Sequence, residues 1–249
     1  MINQHFRQFL SLHQTQQPLF ISNVWDAASA AIAAMNGAVA IATSSAAVAW
    51  SLGYADGSQL PKEELIAAVK RILRVTSIPM SVDVENGYSH NTKQVSLLIK
   101  ELVELGVAGI NIEDGADNPA LLIDKISSIR DTVGENLFIN ARTDVYLRQL
   151  TAPQQAASKA IERLQHYQSV GANGGFIPGL LEIADWSELT KVFSMPLNAM
   201  IPSPDYKVTQ LHALGIRRFS TGPSSFLKSY SAFNVAPEPL SYEQINRLF

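Results

Sequence analysis

Cysteine is absent from the 249 residues, and charged residues make up only 16% of the chain. Without thiols, the protein has no disulfides, thiolate metal sites or cysteine nucleophile. Acidic residues outnumber basic ones by 22 to 19, and no run of Lys or Arg is longer than Arg217-Arg218. A surface that binds nucleic acid needs clustered cations, so we expect no nucleic-acid partner.

Long apolar runs are also missing, although apolar residues make up 47% of the chain. No run reaches the roughly 20 residues that cross a bilayer, and residues 1–12 lack the apolar centre of a signal peptide. We therefore expect no membrane partner and a cytoplasmic location. A chain of this length and apolar content can bury a large core.

Short apolar runs alternate with longer amphipathic segments along the whole chain. The short runs are continuously apolar, as is typical of parallel strands covered on both faces. They lie at residues 19–22, 38–43, 79–84, 108–112, 137–141, 175–178, 197–200 and 216–220. The segments between them repeat apolar residues at helical spacing, as Leu122, Ile126, Ile129 and Val133 do after Asn118-Pro119.

Glycine follows four of the helical segments, at Gly37, Gly106, Gly171 and Gly215. A glycine just past a helix is the left-handed cap that a helix-to-strand loop requires. The repeated units predict an α/β protein with a (β/α)8 barrel as a single domain over residues 1–249, extended by short helices at 1–12 and 241–249. An open doubly wound sheet is the competing fold, but residues 22–26 lack its glycine-rich phosphate turn.

Acidic residues follow three neighbouring predicted strands, at the barrel end where chemistry takes place. Asp56 lies in the loop after strand two, Asp83 and Glu85 end strand three, and Glu113 ends strand four. If Asp83 and Glu85 both belonged to the strand, both would point inward. Carboxylates that converge in a cleft repel one another unless a cation neutralises them, and oxygen ligands suit Mg²⁺ or Mn²⁺. The sequence therefore predicts a metal site, with a salt-bridge ring around the barrel mouth as the alternative.

Arg142 ends strand five, and its planar fork of donors matches a carboxylate or phosphonate. Ser44 and Ser45, in the turn after strand two, offer hydroxyl and N–H groups to the same anion. Residues 220–224 are a weaker candidate anion site. We interpret Asp114 and Asp144 as helix caps or loop anchors. All nine lysines fall outside the predicted strands, which disfavours imine chemistry.

Six segments in chain order resemble the isocitrate lyase and phosphoenolpyruvate mutase superfamily. They are residues 23–30, 42–49, 52–57, 82–88, 109–114 and 139–144, and residues 214–223 resemble its last unit. The resemblance implies a barrel whose eighth helix is exchanged between partners in a homodimer or homotetramer. It also implies a Mg²⁺-dependent enzyme acting on a 2-oxo acid or enolpyruvate.

The resemblance further implies a role for each candidate residue. Asp83 would coordinate the metal directly. Asp56, Glu85 and Glu113 would complete its shell, some of them through water. Ser44, Ser45 and Arg142 would hold the substrate.

Three departures from the superfamily bear on the reaction. The lyase branch carries a Lys-Lys-Cys-Gly-His segment, but this chain has no cysteine. The mutase branch carries a lysine in the loop after strand four. The corresponding loop here, residues 115–120, is short and contains no lysine. Glu85 also replaces the commoner aspartate. We expect phosphoenolpyruvate mutase-like chemistry at a C–P or C–C bond, with an oxaloacetate-type decarboxylase or C–C lyase and a non-catalytic acid-binding barrel as alternatives.

Overall fold

The computed structural model describes residues 4–179, 181–203, 206–233 and 239–249, and its strands form a closed parallel barrel. The eight strands are β1 (Leu19–Val24), β2 (Ile41–Thr43), β3 (Met80–Asp83), β4 (Gly109–Glu113), β5 (Phe138–Arg142), β6 (Gly174–Ile177), β7 (Leu197–Met200) and β8 (Arg218–Ser220). Each strand pairs with the next along the chain, and β8 pairs with β1. The predicted (β/α)8 barrel is thus confirmed.

One helix precedes the first strand, and the others follow strands and surround the barrel. They are α1 (Gln4–Leu12), α2 (Ala27–Met35), α3 (Ser45–Ser51), α4 (Lys62–Leu73), α5 (Thr92–Glu104), α6 (Pro119–Val133), α7 (Pro153–Ser169), α8 (Ile183–Val192), α9 (Val208–Ala213), α10 (Ser224–Ser231) and α11 (Tyr242–Asn246). Within the described ranges, no helix is long and apolar enough to span a membrane.

The predicted helix ends agree with the structure, whereas several strand ends do not. Gly37, Gly106, Gly171 and Gly215 all have positive φ angles, as the cap interpretation requires. Strand β1 extends two residues beyond its apolar run, because residues 22–24 pair with residues 41–43 of β2. Strands β2 and β8 begin later than predicted, at Ile41 and Arg218. In a closed barrel, the register with both neighbours sets the strand ends, and apolar runs do not record it.

Helix α1 closes the amino-terminal end of the barrel. Its buried Phe6 and Phe9 pack with Leu19, Ile21 and Phe138. The N-terminal extension predicted for residues 1–12 is therefore helical from Gln4 onward, and residues 1–3 lie outside the described part. This closure leaves the carboxyl ends of the strands as the open end of the barrel.

The C-terminal helices pack against the barrel of their own chain. Phe226 of α10 and Ile245 of α11 are buried in a cluster with Ala46, Ala47 and Trp50 of α3. This cluster places the end of the chain beside the loops that follow β2. Exchange of a helix between partner chains stays a prediction.

Candidate active site

A cavity of about 490 Å³ opens at the carboxyl ends of the strands. Every residue predicted for the site lines it: Ser44, Ser45, Asp56, Asp83, Glu85, Glu113 and Arg142. An apolar part of its wall is formed by Leu147, Phe176, Pro178 and Met200. The barrel thus brings together side chains from the ends of β3, β4 and β5, from the loop after β3 and from the segment between β2 and α4.

Arg142 lies between two carboxylates. Its Nη1 is 2.7 Å from Oε2 of Glu113, and its Nε and Nη2 donate to the two carboxylate oxygens of Asp144 at 2.6 and 3.1 Å. Burial alone would lower the pKa of Arg142, but the charges of Glu113, Asp144 and Asp83 outweigh it and raise the pKa. These contacts use three of the five N–H groups of the guanidinium, so two remain for a substrate anion.

Asp144 is fully buried and orients Arg142, a role that differs from the predicted cap or loop anchor. It also accepts a hydrogen bond from Arg148 Nε at 2.9 Å. Asp114 does serve as an anchor. It accepts from the Asp144 backbone N–H at 2.9 Å and from the side chains of Arg163 and Tyr167 at 2.8 and 2.7 Å.

Asp83 ends β3 and is held by residues at the end of β2 and at the start of α3. The Ser45 hydroxyl donates to Oδ2 of Asp83 at 2.9 Å, and the Asp83 N–H donates to the Thr43 hydroxyl at 2.8 Å. Burial raises the pKa of Asp83, an effect that Arg142 and Ser45 oppose and the charge of Asp56 reinforces. Ser44 caps α3 through a 3.5 Å bond from the Ala47 N–H. The hydroxyl proton of Ser45 is therefore engaged by Asp83, whereas the Ser44 hydroxyl acts as an acceptor and keeps its proton for another partner.

Glu85 lines the cavity from the loop after β3, whereas the sequence analysis placed it at the end of that strand. Strand β3 ends at Asp83, and Glu85 has a positive φ of 49°, so the two-residue alternation of a strand does not apply to it. The Ser58 N–H and hydroxyl both donate to Oε2 of Glu85. Burial, followed by the charges of Asp56 and Asp83, raises the pKa of Glu85 to about 7. Its side chain nevertheless lines the predicted cavity.

The four acidic side chains share the cavity without converging on one point. Among the described residues, no three Asp, Glu or His side chains are placed to hold a metal ion together. Each acidic side chain has a protein partner: Ser45 for Asp83, Ser58 for Glu85, Arg142 for Glu113 and Tyr242 for Asp56. The donor set still suits Mg²⁺, which binds one or two carboxylates directly and keeps several waters. Burial also raises the pKa of Glu113. A bound cation would oppose this rise, because it favours the charged carboxylate.

The weaker candidate anion site after β8 is occupied by a side chain of the protein. The backbone N–H groups of Thr221 and Gly222 both donate to Oδ1 of Asn23 at 2.9 Å. These two donors are therefore not free for a phosphate or phosphonate group. Asn23 was not predicted, because a single asparagine at the end of an apolar run carries no spacing signal.

Comparison with known proteins identifies the family. Residues 9–240 match the phosphoenolpyruvate phosphomutase family, and the chain belongs to it. The resemblance drawn from the six segments is therefore confirmed.

A protein of Mycobacterium tuberculosis is 33% identical over 245 residues, which cover 96% of this chain and 91% of that protein. An oxaloacetate decarboxylase of Ectopseudomonas mendocina is 28% identical over 234 residues, which cover 90% of this chain and 80% of the enzyme. A crystal structure of a candidate phosphonomutase from Burkholderia cenocepacia superposes with a TM-score of 0.87 at 34% identity. That alignment covers 93% of this chain and 98% of the other.

Proposed function

We propose that the protein is a Mg²⁺- or Mn²⁺-dependent enzyme that cleaves a C–C bond of a small 2-oxo acid, leaving the electron pair in an enolate. The observation that carries the proposal is that Asp83, Glu85, Glu113 and Arg142 line one cavity. A divalent cation bound among the carboxylates would polarise the carbonyl oxygen of the substrate as a Lewis acid. Asp83 would bind it, and Asp56, Glu85 and Glu113 would hold its water ligands.

Arg142 is the group that would bind the substrate carboxylate. Asp144 fixes the plane of its guanidinium through two hydrogen bonds, and two N–H groups remain for the ligand. Ser44 lines the same cavity and would add its hydroxyl to that carboxylate, and Ser45, whose hydroxyl and backbone N–H both donate to Asp83, would keep the Asp83 carboxylate in place. The apolar side chains of Leu147 and Phe176 would keep water away from the charge that develops during the reaction.

The charge of the cavity favours a C–C bond over a C–P bond. Five acidic residues, Asp56, Asp83, Glu85, Glu113 and Glu243, line it together with the guanidinium groups of Arg142 and Arg148. A phosphonate group would add up to two negative charges to this excess, whereas a carboxylate group at the same position would add one. The N–H donors after β8 that could bind it are engaged by Asn23. The similarity to an oxaloacetate decarboxylase supports the same choice.

A phosphonomutase is the second candidate. The family match and the similarity to a candidate phosphonomutase support it. Against it stands the loop at residues 115–120, which contains no lysine.

Product formation from two substrates separates these functions. Purified protein is incubated with oxaloacetate or with phosphonopyruvate, with Mg²⁺, Mn²⁺ or EDTA, and pyruvate and phosphoenolpyruvate are measured. The first proposal is supported if the protein forms pyruvate from oxaloacetate faster than the metal ion does alone and forms no product from phosphonopyruvate. Phosphoenolpyruvate from phosphonopyruvate, without pyruvate from oxaloacetate, overturns it in favour of the second. Binding of oxalate without any turnover would overturn both and indicate a binding barrel.

We also propose that the chain forms a homo-oligomer. A groove of about 710 Å³ on the outside of the barrel is lined by Phe20 of β1, Ile32 of α2, and Tyr230 and Phe233 near the end of α10. Phe233 is 81% exposed and Ile32 is 54% exposed, and such apolar patches favour a partner surface. Light scattering on the wild type and on Ile32→Asp tests the assignment. A monomeric wild type would overturn it.

A further inference from the structure

Helix α11, at the end of the chain, lies against the cavity. Tyr242 and Glu243 of this helix line it beside Asp56 and Glu85. Ile245, on the same short helix, is buried against Ala46, Ala47 and Trp50. Ser241 and Gln244 form a capping box that closes the first turn of α11. The apolar contact of Ile245 therefore fixes the helix to α3 and leaves Tyr242 facing the loop that carries Asp56.

Helix α11 holds Asp56 at two points. The Tyr242 hydroxyl donates to Oδ2 of Asp56 at 2.6 Å. The side-chain oxygen of Asn246 accepts from the Asp56 backbone N–H at 2.7 Å and from Nε1 of Trp50 at 2.8 Å. One contact fixes the backbone of residue 56 and the other fixes its carboxylate. Their combination defines which way the side chain points.

The hydroxyl of Tyr242 is suited to orient a carboxylate. A hydrogen bond to an ionised acceptor is short and stronger than one between neutral groups. The ring of Tyr242 packs edge-on against Trp50, with centroids 5.2 Å apart, which limits its movement. Asp56 itself lies in a turn between Gly53 and Gly57, whose positive φ angles are conformations that favour glycine. Without α11, the carboxylate would sample several rotamers.

We propose that Tyr242 is a positioning residue, which holds the Asp56 carboxylate in the orientation that binds a water ligand of the divalent cation. The inference rests on the proposed function, because that function gives Asp56 its role in the metal shell. The hydroxyl engages one oxygen of the carboxylate, so the other can face the cation. Asn246 acts in the same direction through the backbone. The C-terminal helix is thus part of the site, although it follows the last barrel strand.

The test compares Tyr242→Phe with Tyr206→Phe, which makes the same change before α9 at equal exposure, 38% in both cases. Binding of Mn²⁺ alone is measured by electron paramagnetic resonance or calorimetry. We expect the Kd of Tyr242→Phe to rise about five- to tenfold, since one hydrogen bond to a charged group is lost, and that of Tyr206→Phe to stay unchanged. The unfolding temperature of Tyr206→Phe should match the wild type, whereas that of Tyr242→Phe should fall by a few degrees, because the metal-free protein loses the same hydrogen bond.

Asn246→Ala provides a second variant for the same inference. We expect it to weaken Mn²⁺ binding in the same direction as Tyr242→Phe. In the turnover assay, kcat should fall in both variants while KM for the oxo acid changes little, because the carboxylate-binding Arg142 is untouched.

The outcomes separate this inference from the proposed function. If the wild type binds Mn²⁺ and Tyr242→Phe binds it equally well, the positioning role is wrong and the proposed function stands. If the wild type does not bind Mn²⁺ at millimolar concentration, the proposed function fails and the role of Tyr242 fails with it.

Discussion

Glu113 and Arg142 are direct neighbours in the register of β4 and β5, and their side chains form a 2.7 Å salt bridge at the mouth of the barrel. The pairing follows from the parallel register, which sets the last residue of each strand at the same level. Because Asp144 binds the other edge of the guanidinium, Arg142 is fixed before any substrate arrives. Such prior orientation lowers the entropy cost of binding an anion.

Replacing Asp144 with asparagine tests this arrangement. The side chain of Asp144 is fully buried between Arg142 and Arg148. We expect Asp144→Asn to lower the free energy of unfolding by about 3 kcal/mol, because the buried guanidinium of Arg142 loses one of its two charged partners. The KM for the substrate should rise, since Arg142 is no longer held in one plane. Urea unfolding and steady-state kinetics measure the two effects.

Asp131→Asn is the control for Asp144→Asn, since Asp131 is exposed on α6. We expect it to behave like the wild type in both measurements. An Asp144→Asn protein as stable as the wild type would show that the buried pair does not contribute to folding.

Asp83→Asn is expected to abolish turnover while leaving the fold intact. The asparagine can still accept the hydrogen bond from Ser45, but it lacks the charge that a cation requires. Because a metal ion contributes several kcal/mol to catalysis, activity should fall by a factor of about a hundred or more. Mn²⁺ binding should weaken in parallel. Asp124→Asn, on the exposed face of α6, is the control, and equal activity in the two variants would contradict the assignment of Asp83.

The fold could be predicted because its signals are local. Helical spacing identified Leu122, Ile126, Ile129 and Val133 as the inward face of α6, and all four are buried. Glycine after a helix marked the left-handed caps in the same way. The strand ends were less predictable, because they depend on the register with two neighbours.

The site could be predicted in part, since strand ends in a parallel barrel meet at one rim. That rule brought Asp83, Glu113 and Arg142 together. It did not identify Tyr242, which is 186 residues from Asp56 in the sequence and reaches it through tertiary packing alone. It also missed Asp144, because the same residue type at a strand end more often caps a loop.

The side chain of Lys125 makes another contact that periodicity did not identify. This contact supports the loop that carries Glu85. Its side chain is buried beside Ile126, and Nζ donates to the backbone oxygen of Asn86 at 2.6 Å. We expect Lys125→Met to destabilise the protein by about 1–3 kcal/mol, because the Asn86 carbonyl loses its donor in a buried setting. Mn²⁺ affinity should fall as the loop loosens. Lys100→Met, at an exposed lysine of α5, should change neither property, and an unaltered Lys125→Met protein would refute this role.

His13 should make stability depend on pH. It is buried beneath the barrel, its Nδ1 lies 2.8 Å from the Phe9 carbonyl oxygen, and its ring stacks on Phe138 at 4.2 Å. Burial, followed by the charge of Arg218, lowers the pKa of His13 from 6.5 to about 3. The unfolded chain therefore takes up this proton first as the pH falls. The stabilisation is complete above about pH 6.5 and is lost toward pH 3, at about 1.4 kcal/mol per pH unit.

Urea unfolding at pH 7.5 and pH 5.0 measures this loss against His13→Asn, which retains a donor for the Phe9 carbonyl but does not titrate. Between the two pH values, the wild type should lose about 2 kcal/mol more than His13→Asn. His90→Asn is the matched control, because the His90 side chain is 72% exposed, and it should lose as much as the wild type. An equal loss in the wild type and His13→Asn would show that His13 is protonated in the folded protein, so that the closed end of the barrel tolerates a second positive charge beside Arg218.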